Sequence, residues 1–327
     1  MKELYFVINP KAGNGHCYKI WRKIELELKA EEISYLAFFT EYSGHARKLA
    51  AQIAVQNNHS KIVVAVGGDG TLHEVVNGII NHPTITLGFI PGGSGNDFSR
   101  GFQIPSDPAA ALKVMLRLMK SDAPLLDAGK ITMQDKSEQY FINNMGAGFD
   151  ALIAYQVNHS RVKALLNKFS LGRLVYVYFL LKELFCYKTS TIDLSIDGKE
   201  HKFKQTWFVT VSNQPYYGGG MKIAPAAEPQ DGLLDITVVH ELSRLKLLIV
   251  FISVFWGKHI YFKEVKSFQG RAITIRSDVK LYVHGDGEHA GHIPLKAEII
   301  PKALQVLTRM RYEDEVDLKE RDSNGIH

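Results

Sequence analysis

Short apolar runs alternate with amphipathic stretches through the first third of the chain. Residues 4–9 form an apolar run of strand length, followed by a Pro/Gly/Asn loop and a helical stretch from about Tyr18 to Glu32. Residues 34–40 (SYLAFFT) read as a second strand, 45–56 as a helix and 62–66 (IVVAV) as a buried strand. Residues 71–80 read as a helix opened by a threonine cap, 85–90 as a further strand and 108–119 as a closing helix. Strands separated by helices of this length predict βαβ units and a doubly wound, parallel α/β sheet. Ser121-Asp122-Ala123-Pro124 marks a boundary.

After Pro124 the pattern shifts toward period two. Residues 192–196, 203–212, 234–239, 272–275 and 281–283 alternate, with β-branched and aromatic residues between turns such as Ile196-Asp197-Gly198-Lys199. This predicts a mainly antiparallel β-sandwich domain. Two helical insertions interrupt it, at about 164–186 and 243–256. The expected organisation is an α/β domain over 1–123, a β-rich domain over 124–311 and a charged tail over 312–327.

Composition narrows the function. At 327 residues a single core nears its limit, so two domains are expected, and 46% hydrophobic with 22% charged residues excludes a disordered chain. Two cysteines, Cys17 and Cys186, exclude a multi-bridge scaffold or a four-cysteine zinc site, and the thirteen histidines form no HExxH or tight cluster. A net charge of +5 suits an anionic substrate or membrane surface but is too weak to argue for nucleic acid. The N-terminus lacks the charged leader, apolar core and cleavage site of a signal peptide. The longest apolar run, 247–256, is about half of what a bilayer crossing needs. The expectation is a cytoplasmic protein that does not span a membrane.

Three glycine-rich loops, each after a strand, carry the candidate chemistry: Asn9-Pro10-Lys11-Ala12-Gly13-Asn14-Gly15, Gly67-Gly68-Asp69-Gly70-Thr71 and Pro91-Gly92-Gly93-Ser94-Gly95-Asn96-Asp97-Phe98. Strand C-termini in an open α/β sheet are where ligands sit. Glycines let the backbone approach a phosphate there, and the next helix N-terminus offers N–H groups. A single such loop reads as a turn; three at matching positions do not. Neither a Walker A sequence nor GxGxxG fits, so P-loop and hydride-transfer readings lose support.

With Asn143-Asn144-Met145-Gly146-Ala147-Gly148-Phe149-Asp150, Asp231-Gly232-Leu233-Leu234 and Gly285-Asp286-Gly287-Glu288, these loops resemble the diacylglycerol kinase catalytic family over nearly the whole chain. That family comprises the bacterial soluble lipid kinases related to sphingosine kinases. The resemblance implies an N-terminal fold like that of phosphofructokinase and NAD kinase, and transfer of the γ-phosphoryl of ATP to a lipid hydroxyl, with diacylglycerol giving phosphatidic acid. It implies ATP in the cleft between the domains. The phosphates would meet the backbone of Asn9, Pro10, Lys11, Ala12 and Gly13, and of the stretch Gly67, Gly68, Asp69, Gly70, Thr71, Leu72 and His73, with hydroxyls from Thr40 and Ser94. Thr40 also reads simply as a strand-end threonine. Glu288 would accept the substrate proton, as carboxylates do in phosphoryl transfer; alone, its Asp-Gly context reads as a hairpin turn. Asp69 would hold the nucleotide Mg2+. Asp97 and Asp127 either extend this acidic network or act as a cap and a salt-bridge partner, and Lys11 and Arg100 could offset phosphate charge. A second, structural Mg2+ is implied at Asp231 with the carbonyls of Leu233 and Glu228; Asp231-Gly232 also reads as a turn.

The family's lipid acceptor implies contact with a membrane surface. Apolar segments at 165–171, 174–181 and 247–256 are flanked by Lys163, Lys168, Arg173, Arg244, Lys246 and Lys258, a pattern that suits an anionic surface as well as packing on the domain's own sheet. The expected partners are a lipid substrate and transient membrane contact without nucleic acid, with a homodimer left open. An NAD kinase-like enzyme and a non-catalytic sensor are the competing readings; GGDGT permits the first, and GDGE argues against the second.

Overall fold

The computed structural model describes residues 3–56, 59–93, 95–160 and 172–310. They fall into two compact units, one running to Leu126 and resuming at Ala303, the other Asp127–Lys302.

In the first unit, strands β1 (Glu3–Ile8), β2 (Leu36–Phe39), β3 (Lys61–Gly67) and β4 (Ile85–Pro91) line up as β2-β1-β3-β4, every pair parallel. β3 and β4 are buried along their full length, as an unbroken apolar run between two helical layers requires. Helix α1 (His16–Ala30) presents Cys17, Ile20, Trp21, Ile24 and Leu28 on one stripe, the spacing of a single helix face. That stripe packs on Phe6, Ile8, Val64 and Val66 with Leu112 and Met115 of α5 (Pro108–Leu118). Helices α2 (His45–Val55) and α3 (Asp69–Ile79) pack on each other and on β1 and β3. A short helix, α4 (Asp97–Gly101), follows the third glycine loop.

The second unit begins with β5 (Leu125–Met133), β6 (Glu138–Phe141) and β7 (Asn144–Gly148), then helices α6 (Phe149–His159) and α7 (Gly172–Cys186). Strands β8 (Ser190–Ile196), β9 (Lys199–Ser212), β10 (Tyr216–Tyr217), β11 (Met221–Lys222) and β12 (Leu234–His240) precede helix α8 (Arg244–Val254). The unit closes with β13 (Val265–Gly270), β14 (Ala272–Arg276), β15 (Tyr282–Gly285), β16 (Glu288–His292) and β17 (Leu295–Val306). The long β9 bends at Gln205, which has a left-handed φ of 48°. Before the bend it pairs with β8; after it, β9 lies between β7 and β12, all antiparallel. Inward-facing Val209, Val211, Ile236, Ile273, Ile275 and Leu295 fill the core.

The structure departs from the sequence pattern in three places. Helix α3 starts two residues earlier than the threonine cap suggested, with extended Gly68 as its cap and no capping side chain; Thr71 is instead buried. The β-rich domain expected over 124–311 gives up the residues from Ala303 on, because Gln305 and Val306 of β17 pair in parallel with Thr86 and Leu87 of β4. Strands β6 and β7 are too short and too mixed in composition to show a period-two signature. The first part of the insertion expected at 164–186, and the tail at 312–327, lie outside the described residues. Among the described residues no helix is long and apolar enough to cross a membrane.

Candidate functional site

In the first unit the three glycine loops meet at the C-terminal ends of β1, β3 and β4. Asn9 donates its backbone N–H to Val66 O and its side-chain amide to Thr71 Oγ1 at 3.0 Å, while its Oδ1 receives the Lys11 N–H. One side chain thus folds the first loop and ties it to helix α3. The Gly92 N–H donates to Gly67 O at 2.7 Å, joining the second and third loops. At Gly93 the backbones come closer than any side chain permits: a Cβ there would stand 2.5 Å from the Gly68 Cα. Backbone cannot yield as a flexible side chain does, so glycine is demanded by contact rather than by turn geometry.

Asp69, in the first turn of α3, is the acid set into this cradle. Its carboxylate accepts the Phe98 N–H at 3.2 Å. Burial, reinforced by the neighbouring Asp97 carboxylate, pushes its pKa up to about 6, against the opposing pull of backbone N–H groups at Asn96, Asp97 and Phe98. Two acids held together beside backbone amides form a hard oxygen donor set, which fits Mg2+. Arg100 spans Gly95 O and the Asp97 carboxylate at 2.6 and 2.9 Å, so its charge is spent holding the third loop. Lys11 donates its amine to the backbone carbonyl of Glu41, which leaves its charge unneutralised.

The other expected nucleotide contacts divide. Thr40, buried at the end of β2, donates its N–H to Ile8 O and so stands beside the first loop. Pro10, Ala12 and Gly13 form that loop's partly exposed surface, and Gly70 is partly exposed on α3. Leu72 and His73 have buried side chains, and the Leu72 N–H is taken by Gly68 O. Ser94 lies outside the described residues.

In the second unit Glu288 opens β16, paired with Gly285 across a turn made by Asp286 and Gly287, both at positive φ. Its carboxylate is partly exposed and makes no hydrogen bond or ion pair among the described residues. The turn is held rigidly. Asp286 takes the N–H groups of Ile142, Asn143 and Asn144 and returns its own N–H to Asn144 O. The Gly287 N–H donates to His284 Nδ1 at 3.2 Å, which leaves the proton on Nε2 to donate to Asp150 Oδ2 at 3.3 Å. Asn158 donates to Gly287 O. A Cβ on Gly146 would lie 1.9 Å from Asp150 Oδ2 and 2.6 Å from His284 Nε2, so this hydrogen-bond geometry depends on that glycine. The sequence marked these motifs without giving Asp150, His284 or Asp286 a role; their pairing spans up to 144 residues of chain and has no local signal.

Asp127 makes no salt bridge among the described residues. Buried in the second unit, it receives the N–H groups of Lys302 and Gly232, one on each carboxylate oxygen. At the expected second metal position, Asp231 Oδ1 receives the Leu233 N–H and the Asp231 N–H goes to Glu228 O, the bonding of a turn. Among the described residues no group of three or more His, Cys, Asp or Glu side chains is arranged to hold a metal.

Comparison with known proteins gives these features a context. Residues 3–128 match the family described as diacylglycerol kinase catalytic domain, and residues 143–308 the one described as YegS C-terminal NAD kinase beta sandwich-like domain. The Bacillus subtilis protein YtlR, which carries a lipid kinase name, is 35% identical over 94% of this chain and 100% of its own. A diacylglycerol kinase of Mycobacterium tuberculosis is 30% identical over 91% of this chain and 93% of its own. Among solved structures, one from Bacillus anthracis aligns with a TM-score of 0.73 at 24% identity, covering 95% of this chain and 98% of that one. A diacylglycerol kinase from the same organism aligns at 0.67 and 23%, covering 94% and 97%. At these identities the structural likeness is one of fold.

Proposed function

The chain belongs to the diacylglycerol kinase catalytic family of lipid kinases, and from that premise we propose that it transfers the γ-phosphoryl of Mg-ATP to a lipid alcohol, with diacylglycerol as acceptor and phosphatidic acid as product. The observation that carries this reading is Asp69, a carboxylate with a raised pKa in a cradle of backbone too tight for any Cβ at Gly93. Such a cradle suits phosphate oxygens, and the first turn of α3 adds amides that no side chain caps. Asn9, Lys11 and Gly13 of the first loop, with Thr40, complete the phosphate-facing surface in this reading. Asp69 would hold the nucleotide's Mg2+, which when bound neutralises charge on the transferring phosphate.

Glu288 supplies the other half. In the proposed step its carboxylate takes the proton of the lipid hydroxyl, the alcohol oxygen forms a bond to the γ-phosphorus, and the bond from that phosphorus to the bridging oxygen breaks, releasing ADP. A base must be free and fixed to do this; the Glu288 carboxylate is unpaired among the described residues and its turn is clamped by Asp286 and His284.

The test is labelled ATP offered with diacylglycerol, phosphatidylglycerol and sphingosine in mixed micelles, and with NAD in the absence of lipid. Labelled phosphatidic acid as the main product is expected. Label on NAD without lipid would replace this reading with a soluble-nucleotide kinase, and tight ATP binding without transfer to any alcohol would replace it with a sensor.

A further inference from the structure

Beyond Lys246, helix α8 is apolar but for Ser253. Leu247, Val250 and Val254 point inward and are buried with Trp207, Val239 and Ile223. The opposite stripe has no such cover: Leu245 is 72% exposed, Ile249 60%, Ile252 57% and Trp256 68%. The spacing 245, 249, 252, 256 is that of one helix face. Tyr261, on the 3-10 turn Lys258–Tyr261 just beyond, is 82% exposed. A helix apolar all round is normally buried all round. An uncovered ridge of large aliphatic residues ending in Trp and Tyr has the composition of a segment that sits at a lipid interface.

Charge narrows the occupant. From 242 to 263 the chain carries four basic residues, Arg244, Lys246, Lys258 and Lys263, and no Asp or Glu. Two of these are engaged within the unit. Arg244 bonds the carbonyls of Leu184 and Tyr187, and Lys246 pairs with Glu264 at 2.6 Å. Lys258 and Lys263 are exposed at the end of the ridge, near Trp256 and Tyr261 in sequence. A protein partner of ordinary composition does not require basic residues at the rim of an apolar ridge; an anionic bilayer does.

We infer that the outer face of α8, with Trp256, Tyr261, Lys258 and Lys263, docks on a membrane surface bearing anionic headgroups. The inference rests on the lipid-kinase reading, because a lipid acceptor is delivered at such a surface. The ridge enters the acyl boundary without crossing it, and the lysines meet the phosphates. Docking of this kind is reversible and weakens with salt.

The full chain carries its own reporter. Of its three tryptophans, Trp21 and Trp207 are buried and Trp256 is exposed, so an emission change on adding vesicles reports Trp256. Vesicles of phosphatidylcholine with phosphatidylglycerol should shift the emission to the blue, and brominated acyl chains should quench it. Phosphatidylcholine alone should bind more weakly. The double variant I249Q/I252Q, on an exposed helix face that tolerates glutamine, should lose about 100-fold in vesicle affinity with circular dichroism unchanged. Lys258→Glu should cost about tenfold or more on anionic vesicles only.

Unchanged Trp256 emission, or a double variant that binds as well as the parent, overturns the inference. So does an ultracentrifuge result in which I249Q/I252Q converts a dimer to monomer while vesicle binding persists, since the ridge would then belong to a second copy. Short-chain diacylglycerol, soluble as a monomer, separates this from the kinase reading. Phosphorylation of that substrate without vesicle binding removes the docking surface alone, whereas its absence removes the activity.

Discussion

Asp69 is costly to the fold. A carboxylate whose pKa rises from the ordinary range to about 6 is held in a place that disfavours its charge. The folded state binds the proton more tightly than the unfolded chain, so the charged form costs stability in full above pH 6, and this cost fades as pH falls from 6 toward 4. Asp69→Asn should therefore raise the melting temperature at pH 7.5, with a gap that narrows on acidification, while abolishing turnover. Both are read by thermal denaturation and a kinase assay; a variant less stable at pH 7.5 would mean that the carboxylate is structural. By the same sign, a proton must leave Asp69 before magnesium binds. Mg-ATP affinity measured calorimetrically should be about tenfold weaker at pH 5 than at pH 7. His284 acts at one remove. His284→Ala removes the acceptor for the Gly287 N–H and leaves Asp150 without its donor, so kcat should fall about 10- to 100-fold with ATP affinity unchanged. His284→Asn, which can still accept from Gly287, should retain more, and equal losses in both variants would show that the bond to Gly287 is immaterial.

The elements that carry the site are held by close backbone contact. Gly93→Ala would drive a Cβ to 2.5 Å from the Gly68 Cα, and neither loop has slack. The expected outcome is a loss of about 2 kcal/mol of stability and a more than tenfold drop in ATP affinity, by denaturant titration and calorimetry. An ATP affinity equal to the parent's would show that the cradle does not hold the nucleotide. Elements of this kind were unevenly legible. The parallel strands announced themselves as unbroken apolar runs such as IVVAV, and the glycine loops followed them at once. Strand β7 did not, because Asn144-Met145-Gly146-Ala147-Gly148 reads as a loop by composition. It pairs as a strand since Gly146 leaves room for Asp150 and His284. The start of α3 was misplaced because threonine is a good cap by propensity. Here Thr71 Oγ1 is committed to Asn9, and the extended Gly68 begins the helix earlier.

At the scale of the molecule, the change from helix-linked strands to alternating ones marked two units correctly in kind. It could not show that the last strand returns to the first sheet, since parallel pairing of Val306 with Leu87 leaves no trace in local pattern. The candidate residues stood out for the same reason the strands did: Asp69 and Glu288 lie in short motifs whose glycines are themselves a signal. The frame around Glu288 did not, because Asp286 and His284 reach residues far away in sequence. The account as a whole requires a bound phosphate donor and Glu288 to take the acceptor's proton. The most direct test is diacylglycerol phosphorylation by Glu288→Gln, with ATP affinity measured on the same preparation. The account predicts kcat lower by about 10²- to 10⁴-fold with ATP affinity within about twofold of the parent. Turnover at the parent's rate in this variant would contradict it.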